Sequence, residues 1–190
     1  MLASEAKAAH KIGLTPNRVS MIGLTLALLS ASAYAVGNNQ PRWILLATVL
    51  LLSSGFCDAL DGIIARLYQQ SSTFGGFLDS LLDRYADSVV YIGVIIGGLC
   101  DPLWGLAALS GSLLVSYSRA RAETAQISME SVGLAERAER ILILSVASIA
   151  AIFWQEALNI GIIVLAVFSN ITVLQRVIHV YKSLKKKAQD

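Results

Sequence analysis

The chain has 190 residues, 55% of them hydrophobic and 15% charged, with a mean hydropathy of +0.64 and a formal net charge of +2. Ordinary soluble domains carry roughly 25% charged residues, so there are too few ionic groups here to clothe a surface that faces water on all sides. A water-soluble globule is excluded, lipid must cover most of the fold, and no nucleic-acid partner is expected.

In chain order, Met1 to Gly13 is polar and alanine-rich. It can form an amphipathic helix on lipid headgroups, with Lys7 and Lys11 one turn apart, or fray as a terminus. It has no cleavable-signal pattern, so it is expected to be retained. Six apolar stretches follow, each near the ~20 residues that a helix needs to cross ~30 Å of hydrocarbon. They run from Val19 to Val36, Trp43 to Ala65, Phe77 to Leu99, Pro102 to Ala120, Ala138 to Phe153 and Ala157 to Val180. Turn chemistry at Gly37-Asn38-Asn39-Gln40-Pro41, Asp101-Pro102 and Gln155-Glu156 separates them in pairs, and such short connections fit antiparallel hairpins. Of the fifteen Lys and Arg residues, only Arg42 falls on the opposite side from the rest when the spans alternate. Because basic residues accumulate on the cytoplasmic side, the expected fold is an all-α integral membrane protein, a six-transmembrane-helix bundle with both termini cytoplasmic. It forms a single domain over residues 1–190, with a juxtamembrane segment at 1–13 and a basic tail at 182–190. Cys57 and Cys100 are isolated and predicted at opposite ends of their spans, so neither a disulfide nor a zinc site is expected.

The carboxylates are the informative feature. Asp58, Asp61, Asp79, Asp83 and Asp87 all fall at the cytoplasmic ends of the second and third apolar stretches. An ionised group inside a span costs ~3 kcal/mol even on the lenient insertion scale, so five on adjacent helices need cations or water between them. Asp58 and Asp61 share a helical face at i, i+3, and Asp79, Asp83 and Asp87 form a stripe at i, i+4, i+8. Hard oxygen ligands in this number suit two divalent cations, Mg²⁺ or Mn²⁺. A hydrogen-bonded polar seam gluing two helices would need one or two polar residues rather than five acids. Gly62, Ala65, Gly75 and Gly76 clear space for a bulky anion, and Arg66 can fork onto phosphate oxygens. These are the parts of a diphosphate site.

The string Asp58-Ala-Leu-Asp61-Gly62-Ile-Ile-Ala65-Arg66, eight residues, Gly75, three residues, Asp79, three residues, Asp83 resembles the signature of the CDP-alcohol phosphotransferase family at all eight fixed positions. Thr15-Pro16-Asn17 also looks like that family's entry motif. The resemblance covers nearly the whole chain and implies a similar six-helix bundle, a homodimer, and displacement of CMP from a CDP-activated lipid, CDP-archaeol or CDP-diacylglycerol, by an acceptor hydroxyl. By position it implies that Asp58, Asp61 and Asp79 hold the two divalent ions and that Asp83 completes the metal site and acts as general base. Gly62, Ala65, Arg66 and Gly75 would line the CDP pocket, joined by Asn17 and Thr73. The bland alternatives are a helix cap at Asn17 and a turn or helix-start residue at Thr73. Asp87 matches no fixed position; it is either an outer support of the site or a polar contact one turn deeper.

The acceptor is read from the fourth connection. Arg119 and Arg121 end one span and Arg137 and Arg140 begin the next, on the same face as the aspartates. A phosphorylated acceptor needs such a positive pocket and a neutral one does not. The bland alternative is that these arginines satisfy the positive-inside bias and pair with Glu123, Glu136 and Glu139. The R-A-R-A-E and E-R-A-E-R strings resemble those of the family's inositol-phosphate-using branch, its archaeal members above its bacterial ones, which commonly carry lysine where Arg119 stands. Inositol 1-phosphate is therefore the expected acceptor, with membrane lipids as surroundings. Glycerol 3-phosphate is the alternative within the same reaction. A prenyltransferase, which would release pyrophosphate, and a cation transporter using the intramembrane aspartates are the alternatives of other classes.

Overall fold

Proline decides where three of the helices begin. Pro16, Pro41 and Pro102 each stand in a first helical turn, where the missing N–H has no intrahelical partner to lose and the fixed φ favours the helix. Asp101 caps the helix that Pro102 begins, and Ser72 provides one further start. The Asp101 carboxylate accepts from the Leu103 and Trp104 N–H groups, and the Ser72 hydroxyl accepts from the Gly75 N–H at 3.0 Å.

The computed structural model describes residues 2–37, 40–129 and 132–187, with backbone alone for residues 2 and 3. Met1, Asn38 and Asn39 of the first expected turn, and Ala188 to Asp190 of the expected tail lie outside the described residues. Among the described residues there are seven helices and no strand: α1 (Leu2–Lys11), α2 (Pro16–Val36), α3 (Pro41–Leu67), α4 (Thr73–Ile96), α5 (Pro102–Thr124), α6 (Arg137–Ala151) and α7 (Glu156–Lys187). The third, fourth and last apolar stretches lengthen by a turn or more at one end, because hydropathy marks only the apolar part of a helix while helical hydrogen bonding runs on into polar residues.

Length and apolarity mark α2, α3 and α7 as long enough to cross a membrane. The other expected spans fall short for physical reasons. Helix α4 carries Asp79, Asp83, Arg84 and Asp87, α5 ends in Arg119, Arg121 and Glu123, and α6 has 15 residues. Helix packing closes a ring in the order α2, α3, α6, α7, α5, α4 and back to α2. Tyr34, Ile44, Val94, Leu158, Ile162 and Leu165 fill its interior, each essentially inaccessible. Large apolar side chains including Leu28, Leu29, Leu45, Val49, Val146 and Leu174 face outward. That distribution belongs to an integral membrane protein whose outer surface is solvated by hydrocarbon.

Helix α1 is neither frayed nor free for the headgroups. Ala6 and Ala9 are buried with Leu60 and Ile64, and His10 stacks on Tyr68 with ring centroids 3.6 Å apart. Its alanine face is a packing surface against α3. Both cysteines are free thiols. Burial pushes the Cys100 thiol, in the turn after α4, up to about 11, so it stays protonated and inert.

Candidate functional site

Helical periodicity brings the acids of α3 and α4 face to face. Carboxylate oxygens of Asp58, Asp61 and Asp79 all lie within 4.8 Å of one another. Asp61 is 4% exposed, and the Ser20 hydroxyl on α2 donates to its Oδ2 at 2.6 Å, committing that atom and leaving Oδ1 for another partner. Asp79 Oδ1 is buried without a hydrogen-bond donor. A buried orphan oxygen beside two further carboxylates is costly, and hard oxygen donors at this separation fit a divalent cation. The residues present therefore suit Mg²⁺ or Mn²⁺.

Asp83 stands outside that trio. Its Oδ1 lies 2.8 Å from Arg137 Nη1, which also reaches Asp58 Oδ1 at 2.5 Å. Arg137 comes from the first residue of α6, about fifty positions away in sequence. Its Nε lies 3.3 Å from Asp87 Oδ1, and Arg140 Nη2 lies 2.6 Å from Asp87 Oδ2. The five aspartates thus separate into three that converge on one point, of which Asp58 also pairs with Arg137, and two outside that point, Asp83 and Asp87, that pair with arginine.

Of the cavities that adjoin these groups, three share lining residues in a row. A space of about 580 Å³ is lined by Asn17, Gly62, Ala65, Arg66 and Gly75, together with Ser20, Asp61 and Asp79. Thr73 is exposed at the first turn of α4 and does not line it; Ser72, not Thr73, caps that helix. Asn17 is not the cap of α2 either, since Thr15 holds that place. A side chain at Gly75 would press on the Ser72 hydroxyl and the Asn17 carbonyl, so glycine there keeps the cavity open. Next comes a tight space of about 220 Å³ lined by Asp58, Asp61, Asp79, Asp83, Ser20 and Arg137. Beyond it, Asp83, Arg84, Arg119, Arg137, Arg140 and Arg176 line a cavity of about 700 Å³. Asp61 and Asp79 border the first two spaces, and Asp83 and Arg137 border the second and third.

Of the four expected acceptor arginines, three reach the arginine-lined cavity. Arg119 is engaged with Glu123 at 3.2 Å on an exposed edge. Arg140 is buried, its Nη1 donating to the Ala135 carbonyl at 3.0 Å. Arg121, exposed in the last turn of α5, lines none of the three spaces. Arg176 is the residue that sequence reasoning undervalued, counting it only among the basic residues that share one face of the bundle. It is 2% exposed and donates to the carbonyls of Val132 at 2.9 Å and Val115, with Glu136 at 3.9 Å. The signal was present: a charge separated from Glu156 by an uncharged apolar run is a functional candidate by default. The same helix holds the connection after α5, because the Thr172 hydroxyl accepts from Leu134 N and Ala135 N.

The family model described as CDP-alcohol phosphatidyltransferase matches residues 13–175. The archaetidylinositol phosphate synthase of Methanothermobacter thermautotrophicus is 41% identical over 178 residues, covering 93% of this chain and 88% of the relative. The crystal structure of Mycobacterium tuberculosis phosphatidylinositol phosphate synthase with CDP-DAG bound superposes with a TM-score of 0.82 at 28% identity, covering 95% of this chain and 94% of that one. The structure of that enzyme in complex with manganese and citrate gives the same score and identity, over 95% and 89%.

Proposed function

This chain belongs to the CDP-alcohol phosphatidyltransferase family, and we propose that it transfers the phosphatidyl or archaetidyl group of a CDP-activated lipid to inositol 1-phosphate, releasing CMP. The observation that carries this reading is the row of cavities, with Asp83 and Arg137 bordering both the acid-lined space and the arginine-lined one. A nucleotide diphosphate on one side and a phosphorylated alcohol on the other would meet at Asp83.

Asp58, Asp61 and Asp79 would hold the divalent ions, with Asp83 completing the site. Bound there, such ions neutralise diphosphate oxygens and ease the departure of CMP. Arg66, across from Gly62, offers its fork to the diphosphate. Gly62, Ala65 and Gly75 leave room for the nucleotide, and Asn17 is assigned as its outer contact, whereas Thr73 stands outside that space as a helix-start residue. On the acceptor side, Arg119, Arg137, Arg140 and Arg176 supply positive charge at the cavity, with Arg121 a more distant charge on α5. Asp83 takes the proton of the acceptor hydroxyl as its oxygen bonds to the lipid-linked phosphorus. The bond from that phosphorus to the CMP oxygen breaks, and CMP leaves with the electron pair.

The same reading makes the ring a single domain of six spans in the cell membrane, with both termini and the site facing the cytoplasm and a homodimer as the assembly. The positive-inside bias and the apolar outer faces support it. The test is CMP release by purified protein with CDP-activated lipid and Mg²⁺, comparing inositol 1-phosphate, glycerol 3-phosphate, free inositol and serine. Release with inositol 1-phosphate alone is the expected result; release with glycerol 3-phosphate alone reassigns the acceptor and keeps the chemistry.

A further inference from the structure

Asp87 lies outside the eight-position signature, yet it is the best-connected carboxylate in the molecule's polar centre. It stands one helical turn beyond Asp83 on the same face of α4, and its side chain is 13% exposed. Its Oδ1 accepts from Arg137 Nε at 3.3 Å. Its Oδ2 accepts from Arg140 Nη2 at 2.6 Å and from the Ser112 hydroxyl of α5 at 3.2 Å. Both oxygens are thus spent on α5 and α6, and Asp87 does not join the cluster of Asp58, Asp61 and Asp79.

The consequence runs through Arg137. A guanidinium is a rigid planar fork, so a partner on Nε sets where Nη1 points. With Asp87 holding Nε, Nη1 falls between Asp58 and Asp83, and the guanidinium edges the arginine-lined cavity. Arg137 and Arg140 are like charges at i, i+3 on α6 and repel in a low-dielectric interior. The Asp87 carboxylate offsets that repulsion and takes one nitrogen from each. Arg140 carries the tie onward, since its Nη1 donates to Ala135 at the end of the α5–α6 connection.

We infer that Asp87 is a positioning residue for the acceptor: it fixes Arg137 and Arg140 in one arrangement, so that the phosphorylated alcohol is presented to Asp83. The inference rests on the transferase reading above and adds a role for a residue outside the signature. Asparagine at this position keeps the shape but offers one acceptor oxygen, and its amide nitrogen turns a donor toward donors.

The experiment compares wild type, Asp87→Asn and Arg140→Lys as purified full chains, with steady-state kinetics in both substrates, Mn²⁺ titration of the metal-depleted protein and thermal unfolding. For whichever phosphorylated acceptor the wild type uses, Asp87→Asn should raise the acceptor KM by about tenfold or more, the scale of one lost charge-assisted hydrogen bond. The KM for CDP-lipid and the Mn²⁺ affinity should stay where they are. Arg140→Lys retains the charge, loses the fork and should show the same pattern, and it carries the test if Asp87→Asn fails to fold. An unchanged acceptor KM in a folded variant overturns the inference. So does a loss of Mn²⁺ affinity in Asp87→Asn, which would make Asp87 a ligand. Wild-type protein that releases no CMP with any phosphorylated acceptor sinks the transferase reading instead, separately from this one.

Discussion

The two ends of the helical ring are built on opposite rules. At the end away from the aspartates, polar groups are small and matched to neighbours: Tyr34 and Ser148 share a hydrogen bond at 2.7 Å, and Ser30 donates to the Ala47 carbonyl at 2.7 Å. Backbones approach closely at glycine, Gly93 against Ala31 and Gly97 against Tyr34. At the aspartate end, ionisable groups crowd together, one carboxylate oxygen has no donor, and glycines 62 and 75 border a cavity instead of another helix's backbone. In hydrocarbon an unsatisfied charge is affordable only where a ligand completes it. One end stabilises the fold, and the other holds groups in wait for substrates and cations.

The sharpest way to break that comparison is to remove a carboxylate from each side of the aspartate end. Asp83→Asn is expected to lower turnover by about three orders of magnitude, within the range for a lost general base, while sparing CDP-lipid binding that Asp58→Asn loses. Equal loss of binding in both variants, measured by calorimetry, would erase the distinction between Asp83 and the metal-holding trio. The matching change at the other end is Gly93→Val. A Cβ there meets the Ala31 backbone, with its Cα 2.7 Å away, so the variant should unfold at lower temperature in detergent by the equivalent of about 1–3 kcal/mol or more. In whatever fraction remains folded, KM values should be those of the wild type. Ser20→Ala is a smaller test, because it frees Asp61 Oδ2 without touching a charge. Mn²⁺ affinity, followed by electron paramagnetic resonance, should fall by about tenfold; an unaltered affinity would make the Ser20 hydroxyl mere packing. Least of all, Arg121→Ala should leave both KM values close to wild type, since its side chain lines none of the three spaces, whereas a large rise in acceptor KM would extend the arginine-lined cavity to the end of α5.

Much of this was legible in the chain before folding. Apolar stretches near ~20 residues predicted the helices of the ring, and i, i+3 and i, i+4 spacing predicted which acids share a face. The diphosphate side was equally readable, because Gly62, Ala65, Arg66 and Gly75 act within one helix turn or across a short connection, and they line one space with Asn17. On the arginine side, the sequence pointed to a phosphorylated acceptor but not to which arginines meet. Arg119 and Arg140 reach the cavity along with Arg137, but Arg121 points elsewhere and Arg176 joins from the far end of the chain. The α1 segment shows the same limit: alanine spacing allowed a helix on lipid headgroups, while contact with Leu60 and Ile64 of α3 decided its place.

Sequence by itself determined the solvent, the helices, the acid spacing and the family, because each depends on composition or on neighbours within a turn or two. Tertiary structure alone decided that Asp83 meets Arg137 beside the metal-fitting trio, that Asp87 anchors two arginines, and that Arg176 is buried beside the arginine-lined cavity. Those outcomes depend on pairings across some fifty residues or more, such as Asp87 with Arg140 and Arg176 with Val115. Periodicity sets which face of a helix a charge occupies, and only the packing of the ring sets which opposing charge it meets.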